Sequence, residues 1–192
     1  MQYVSFNQEQ ERIAQEKAAA AQMEAVMVVT AECRDLTRVV NQTTVFMADF
    51  ESEIQTFSTN AANVSDLGDI KTAASQYITA VNQVETNLSG LEGDLQAVPL
   101  STETLTQFRD SYVEVVQGFG TALNEAGDAM QLVATVDAAS QLPERIEQSQ
   151  QNTLAAVAKI EGLSQQESSL ISDVNVFCEE ANIQKVESQL GS

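Results

Sequence analysis

The fold is decided by residues 70–98, which read IKTAASQYITAVNQVETNLSGLEGDLQAV. Apolar or small side chains recur here at alternating steps of four and three residues: Ile70, Ala74, Tyr77, Val81, Val84, Leu88, Leu91, Leu95 and Val98. This heptad spacing is typical of a helix that buries one stripe of side chains, its seam, against other helices. Because a single helix cannot bury its own seam, the stretch predicts that the rest of the chain supplies partner helices.

Similar seams occur on both sides of this stretch. We predict four helices, over residues 6–57, 67–97, 102–140 and 143–190. Besides the residues above, the predicted core seam contains Leu36, Val40, Met47, Phe50, Ile54, Phe57, Phe108, Tyr112 and Phe119. The seam of the fourth helix is patchier and is assigned to Ile146, Leu154, Val157, Ile160, Leu163, Leu170 and Val174.

The segments between these helices carry stop and start signals. Ser65 or Asp66 is the expected N-cap of the second helix, and Ser101 that of the third. Pro143 ends the third helix because proline removes a backbone donor. Short loops make successive helices antiparallel, so the predicted fold is an all-α, up-down-up-down four-helix bundle. The alternative fold is a long coiled-coil hairpin that dimerises into a bundle.

The first helix is expected to extend beyond the bundle. Residues 1–25 are polar, with only Ile13 as an apolar contact in Asn7–Lys17, whereas residues 26–190 carry the seams. At about 1.5 Å per residue, the chain before the bundle can project by up to about 40 Å. We therefore predict a polar helical stalk, at the end where the first and last helices both leave the bundle.

Two cysteines provide the most specific feature of the sequence. Counting helix rise along the predicted bundle places Cys33 and Cys178 within about 5 Å of the same level. They either form a disulfide or remain as two buried free thiols. A disulfide would close a loop of about 145 residues, contribute on the order of 4 kcal/mol and indicate an oxidising compartment.

The net charge of the chain limits the classes of partner that it is expected to bind. There are 28 acidic and 9 basic residues, which gives a formal net charge of −19. Nucleic-acid binding and adsorption to anionic lipid both need clustered Lys and Arg, so neither is expected. The most apolar run, Ala18–Ala31, contains Gln22 and Glu24 and is too short to span a bilayer. We expect no membrane insertion by this chain.

The residue inventory also restricts chemistry. The chain has no histidine. This excludes a Ser-His-Asp or Cys-His nucleophile pair, a His-Glu-x-x-His zinc site and a Glu-x-x-His di-iron site. Two cysteines alone are too few ligands for a structural zinc site. We therefore predict no enzyme activity, no cofactor and no metal site.

These observations favour a binding or structural role. The leading prediction is the extracytoplasmic part, periplasmic or secreted, of a surface- or membrane-associated protein. It would engage a protein partner or a second copy through an acidic face or through Asn7–Lys17. One alternative is a bundle that carries or senses a small apolar ligand such as a lipid, with room left by Ala122, Ala126 and Ala129. The other is a cytoplasmic assembly or scaffold factor with reduced thiols.

Overall fold

The structure is a computed structural model that describes residues 2–63 and 65–190. Within these residues the chain forms five α-helices, no strand, and a short 3-10 turn at Ala139–Gln141. The helices are α1 (Gln2–Val40), α2 (Gln42–Ala61), α3 (Leu67–Ala97), α4 (Glu103–Ala134) and α5 (Leu142–Leu190). Because α1 and α2 together form one side, the predicted all-α four-helix bundle is confirmed.

The first side of the bundle is interrupted at a single residue. Asn41 separates α1 from α2, although its amide still donates to the Thr37 carbonyl at 3.0 Å. The flanking residues are rich in β-branched side chains, which lose rotamer freedom in a helix: Val39, Val40, Thr43, Thr44 and Val45. The prediction of one unbroken helix over residues 6–57 is therefore wrong at this point.

Successive helices run antiparallel. On the α3–α4 surface, Glu85 accepts a hydrogen bond from Asn124 and Glu92 accepts one from Gln117, both at 2.7 Å. The later residue of α3 thus meets the earlier residue of α4. At the far end of the bundle, the rings of Phe57 and Tyr77 meet edge to face, with centroids 5.2 Å apart. This contact joins the end of α2 to the beginning of α3.

The most deeply buried side chains of the core come mainly from α3 and α4. They include Leu36, Val81, Leu88, Leu91, Leu95, Leu105, Tyr112, Val115, Val116, Phe119 and Leu123. The predicted seam residues of α2 lie only half-buried against this core: Met47, Phe50, Ile54 and Phe57. Ile70 is also half-buried. The α2 side is consequently the loosest part of the bundle.

On the fourth side of the bundle, formed by α5, the buried face is not the one with the largest apolar side chains. Leu154 and Val157 were assigned to the seam of α5, but their side chains are 69% and 42% exposed. An unbroken four-three repeat backwards from Val174 instead reaches Ala156, Thr153 and Ser149. Ala156 and Ser149 are buried, and the Thr153 hydroxyl is buried without a partner among the described residues. The assignment of Leu154 and Val157 is wrong because small side chains occupy the seam there.

The end of α4 comes earlier than expected. The helix stops at Ala134, not near residue 140, and is followed by Thr135 and Val136. Val136 is buried, and its carbonyl accepts a hydrogen bond from the Lys71 ammonium at 3.0 Å. At the start of α3, Asp66 is the N-cap and accepts from the Asp69 amide at 2.9 Å. These contacts stabilise the end of the bundle at which the α2–α3 and α4–α5 loops lie.

At the opposite end, α1 and α5 leave the bundle together. Side chains of residues 8–22 are exposed, and Val26 is the first buried side chain within residues 8–40. Gln22 to Val29 lie beside Phe177 to Gln184 of α5. We call residues 8–31 of α1 with residues 179–187 of α5 the arm. Among the described residues, no helix combines the length and the apolar character needed to cross a membrane.

Candidate functional site

A disulfide lies at the base of the arm. Cys33 of α1 and Cys178 of α5 are joined, with Sγ atoms 2.09 Å and Cα atoms 5.9 Å apart. This confirms the disulfide alternative over two free thiols, and no other cysteine exists in the chain. The bond connects the first and last helices where the four-helix packing ends.

Next to the disulfide, Glu32 caps α4 from another helix. One of its carboxylate oxygens accepts from the Ser101 amide and hydroxyl, each at 2.6 Å, and the other accepts from the Thr102 amide at 3.1 Å. Thr102, and not Ser101, is the N-cap residue, and its own side chain makes no cap bond. Glu32 therefore accepts from the amide of the N-cap residue and from the amide of the residue before it, which differ from the amides of residues 103 and 104 that a Ser101 cap would bind.

The hydrogen bonds to Glu32 also set its protonation. Burial by itself raises the pKa of this carboxyl, since it penalises the charged form. The bonds donated by Ser101 and Thr102 act in the opposite direction and outweigh burial, so the pKa lies below its ordinary value. Glu32 is thus an ionised, buried link between the arm and the α3–α4 loop.

A groove separates α2 from α5. Among the described residues, α2 packs mainly against α3 and makes little contact with α5 beyond its first turn, where Thr43 and Glu167 share the Tyr112 hydroxyl. Counted from the disulfide, Ile54 is level with Val157 and Phe57 with Leu154, so these side chains would meet if the two helices were in contact. Instead they stand apart, which explains the exposure of Leu154 and Val157.

This α2–α5 groove has a volume of about 640 Å³. It is lined by Thr43, Thr44, Met47, Ala48, Phe50, Ile54, Glu167 and Ile171. The room for a ligand is therefore beside α2. Ala122, Ala126 and Ala129, which were expected to leave space, are buried to 2% exposure or less, so neighbouring side chains have closed around them.

A buried polar cluster forms one end of the α2–α5 groove. The Tyr112 hydroxyl is hydrogen-bonded to Thr43 Oγ1 at 2.9 Å and donates to Glu167 Oε1 at 2.5 Å. Tyr112 is fully buried. Burial, and then the hydrogen bond to Glu167, raise the pKa of Tyr112 far above its ordinary value. The phenol consequently stays protonated and orients the Glu167 carboxylate.

Glu167 is the charged member of the cluster. It is half-buried, and its only hydrogen bond from a described residue comes from Tyr112. Two of the described cationic side chains pair with other carboxylates: Lys159 with Glu125, and Arg109 with Asp110. No Lys or Arg of residues 2–63 and 65–190 forms an ion pair with Glu167. The groove therefore contains a carboxylate without a counter-charge.

A second, smaller groove lies nearer the α2–α3 loop. It has a volume of about 420 Å³ and is lined by Phe57, Ile70, Ala73, Ala74, Met130, Val133, Ile146, Ser149 and Gln150. Its lining is mostly apolar and carries no charge. It offers contact area, but no group that would select one ligand chemistry.

The remaining residue chemistry is limited. In the described part of the chain, no three His, Cys, Asp or Glu side chains are placed to hold a metal ion. Both thiols are used by the disulfide. The α2–α5 groove combines apolar walls with one carboxylate that is hydrogen-bonded to Tyr112.

Sequence reasoning found part of this site. Tyr112 was placed on the core seam, but its contact with Glu167 was not foreseen. A buried tyrosine needs a partner for its hydroxyl, so a polar residue on the facing seam was the available signal. Glu32 was not identified. Glu32 gave no signal, because its role depends on the level at which the α3–α4 loop meets α1.

Comparisons with protein-family models, with curated proteins and with solved structures find no match for this chain.

Proposed function

We propose that this chain is a non-enzymatic, extracytoplasmic binding domain of a surface- or membrane-associated protein, presented at the end of the arm. The observation that carries the proposal is the Cys33–Cys178 disulfide, which cross-links the two helices of the arm where they leave the bundle. Structural disulfides persist in oxidising compartments and are rare in the cytosol. The disulfide thus favours this reading over a cytoplasmic scaffold with reduced thiols.

The exposed surface of the arm supports a role in contacting a partner. Arg12 bridges Glu9 and Glu16 at 2.7 and 2.9 Å along the exposed helix, so this segment is held helical by its own ion pairs without burying a seam. An exposed helix that extends past its bundle, polar around Arg12 and with exposed apolar side chains at Ile13, Met27 and Val28, is available for contact with another protein or a second copy.

The compartment is tested by thiol alkylation in the native host. Cells never exposed to reductant are denatured in an alkylating reagent, and the intact mass of the chain is measured. The proposal expects no alkyl group, and two alkyl groups after prior reduction. Two alkylated cysteines in the unreduced sample would contradict the extracytoplasmic role and favour the cytoplasmic scaffold.

The role of the arm is tested by site-specific cross-linking. A photo-reactive residue at Gln10, on the arm, is compared with one at Asn82, an exposed position on α3. We expect a discrete cross-linked product from Gln10 and none from Asn82. Equal products from both positions, or unchanged localisation after deletion of residues 1–25, would contradict an arm-mediated function.

A second function, binding of a small ligand with a large apolar part, is favoured by the α2–α5 groove. A groove of about 640 Å³ with apolar walls lies within the size range of small-molecule sites, roughly 300–1,000 Å³. Replacing exposed Ala48 by Trp would fill the groove without disturbing a buried contact. We expect A48W to abolish thermal stabilisation by any ligand that the wild type binds, and unchanged binding to A48W would contradict the proposal.

A further inference from the structure

We propose that the α2–α5 groove binds a small amphiphilic organic cation, a molecule with an ammonium group attached to an apolar chain or ring. This inference rests on the second proposed function and names the ligand class of that groove.

The walls of the groove would contact the apolar part of the ligand. Met47, Phe50 and Ile54 come from α2, and Ile171 comes from α5. These side chains remain partly accessible because the two helices stand apart, and burying them against a ligand recovers the apolar contact that α2 and α5 do not make with each other. An alkyl chain or a ring fits this elongated space between two helices.

The negative charge in the groove would attract the ammonium group of the ligand. Glu167 lines the groove, and its carboxylate has one oxygen bonded to Tyr112 and no cationic partner among the described residues. A bound ammonium group would supply the missing counter-charge in a partly desolvated place, where the attraction is stronger than in water. The Phe50 ring and the Thr44 hydroxyl, both in the groove lining, offer a cation-π surface and a further acceptor.

The same features disfavour other ligands. A fatty-acid anion would place its carboxylate beside Glu167 in a protein whose formal net charge is −19. A neutral alcohol would fill the apolar walls but leave Glu167 without a counter-charge. The Tyr112 hydroxyl is already committed to Glu167, so this carboxylate is held in a fixed orientation instead of turning out to solvent.

The experiment compares decylammonium, decanol and decanoate, all below their micelle concentrations. Binding is measured by titration calorimetry, and the site is mapped from amide chemical shifts of residues 43–54 and 167–171. We expect decylammonium to bind about tenfold more tightly than decanol, and decanoate to show no binding. The shift changes of decylammonium and decanol should map to the same groove.

Matched variants separate a local charge from the overall charge. Glu167→Gln keeps an acceptor for Tyr112 and should weaken decylammonium about tenfold while leaving decanol unchanged. Glu161→Gln removes the same formal charge from an exposed position of the same helix and should change neither. Thr44→Lys, at another exposed position, places a competing ammonium in the groove and should weaken decylammonium even if E167Q is poorly folded.

The outcomes distinguish this inference from the function on which it rests. Equal binding of decanol and decylammonium, with no effect of E167Q or T44K, would overturn the preference for a cation and leave the apolar groove function intact. Equal losses in E167Q and E161Q would also overturn it, because the attraction would then come from net charge. No binding of any of the three ligands would overturn both.

Discussion

The disulfide at the arm base should dominate the stability of the bundle. The double variant Cys33→Ala/Cys178→Ala removes a cross-link between positions separated by 145 residues. For a loop of this length, the chain-entropy model gives a loss of about 5 kcal/mol in the free energy of unfolding at 25 °C. The loss arises in the unfolded chain, which gains freedom when the loop is opened, because α1 and α5 retain their packing in the folded state.

Urea unfolding followed by far-ultraviolet circular dichroism measures this loss. Oxidised wild type, reduced wild type and the double variant are compared, and reductant should have no effect on the double variant. The dependence of the free energy on urea should also steepen on reduction, since the unfolded chain exposes more surface. A loss below about 1 kcal/mol would refute the reasoning, because the closed loop would then not restrict the unfolded ensemble as the model requires.

Four further substitutions test other contacts. Glu32→Gln should lower the unfolding free energy by about 1–2 kcal/mol at neutral pH. Because the folded pKa of Glu32 is lowered, this difference is present above the ordinary carboxyl range and should vanish as the pH falls through the folded pKa. A difference in unfolding free energy that persists in acid would contradict the charged cap. Tyr112→Phe should cost about 1–3 kcal/mol by leaving Glu167 and buried Thr43 without their shared partner, and an unchanged urea midpoint would contradict that hydrogen-bond cluster. Gly120→Ala should raise the unfolding free energy by up to about 1 kcal/mol, since nothing lies within 4 Å of the added methyl group. The methyl group of Gly118→Ala would lie 2.7 Å from Leu163, so this variant should gain less stability. A larger gain at Gly118, measured in the same urea titration, would contradict the close α4–α5 crossing.

The periodic stretches determined most of what the sequence could predict. Residues 70–98 keep their four-three spacing without interruption, and Leu88, Leu91 and Leu95 are almost completely buried. Helix rise placed Cys33 and Cys178 at nearly one level, which is compatible with a disulfide but leaves two free thiols as the alternative. Fold class therefore followed from local spacing, whereas the disulfide also required the two cysteines to face each other across α1 and α5, with Cα atoms 5.9 Å apart.

The remaining features depend on contacts that spacing does not encode. Leu154 and Val157 are the larger apolar residues of their segment, yet the buried positions there are Ala156 and Ser149. Spacing shows which residues share a helix face, but which face is buried depends on how closely α2 and α5 pack against each other.

The cross-link between the first and last helices has a mechanical consequence. A force that pulls the two arm helices apart acts at the same end of the molecule and meets Cys33 and Cys178 before it reaches the four-helix core. With the bond intact, the 145-residue separation between the cysteines, about 500 Å of chain if fully extended, cannot be drawn out. Tension along the arm would thus open only the arm, and the α2–α5 groove would keep its shape while the domain is under load.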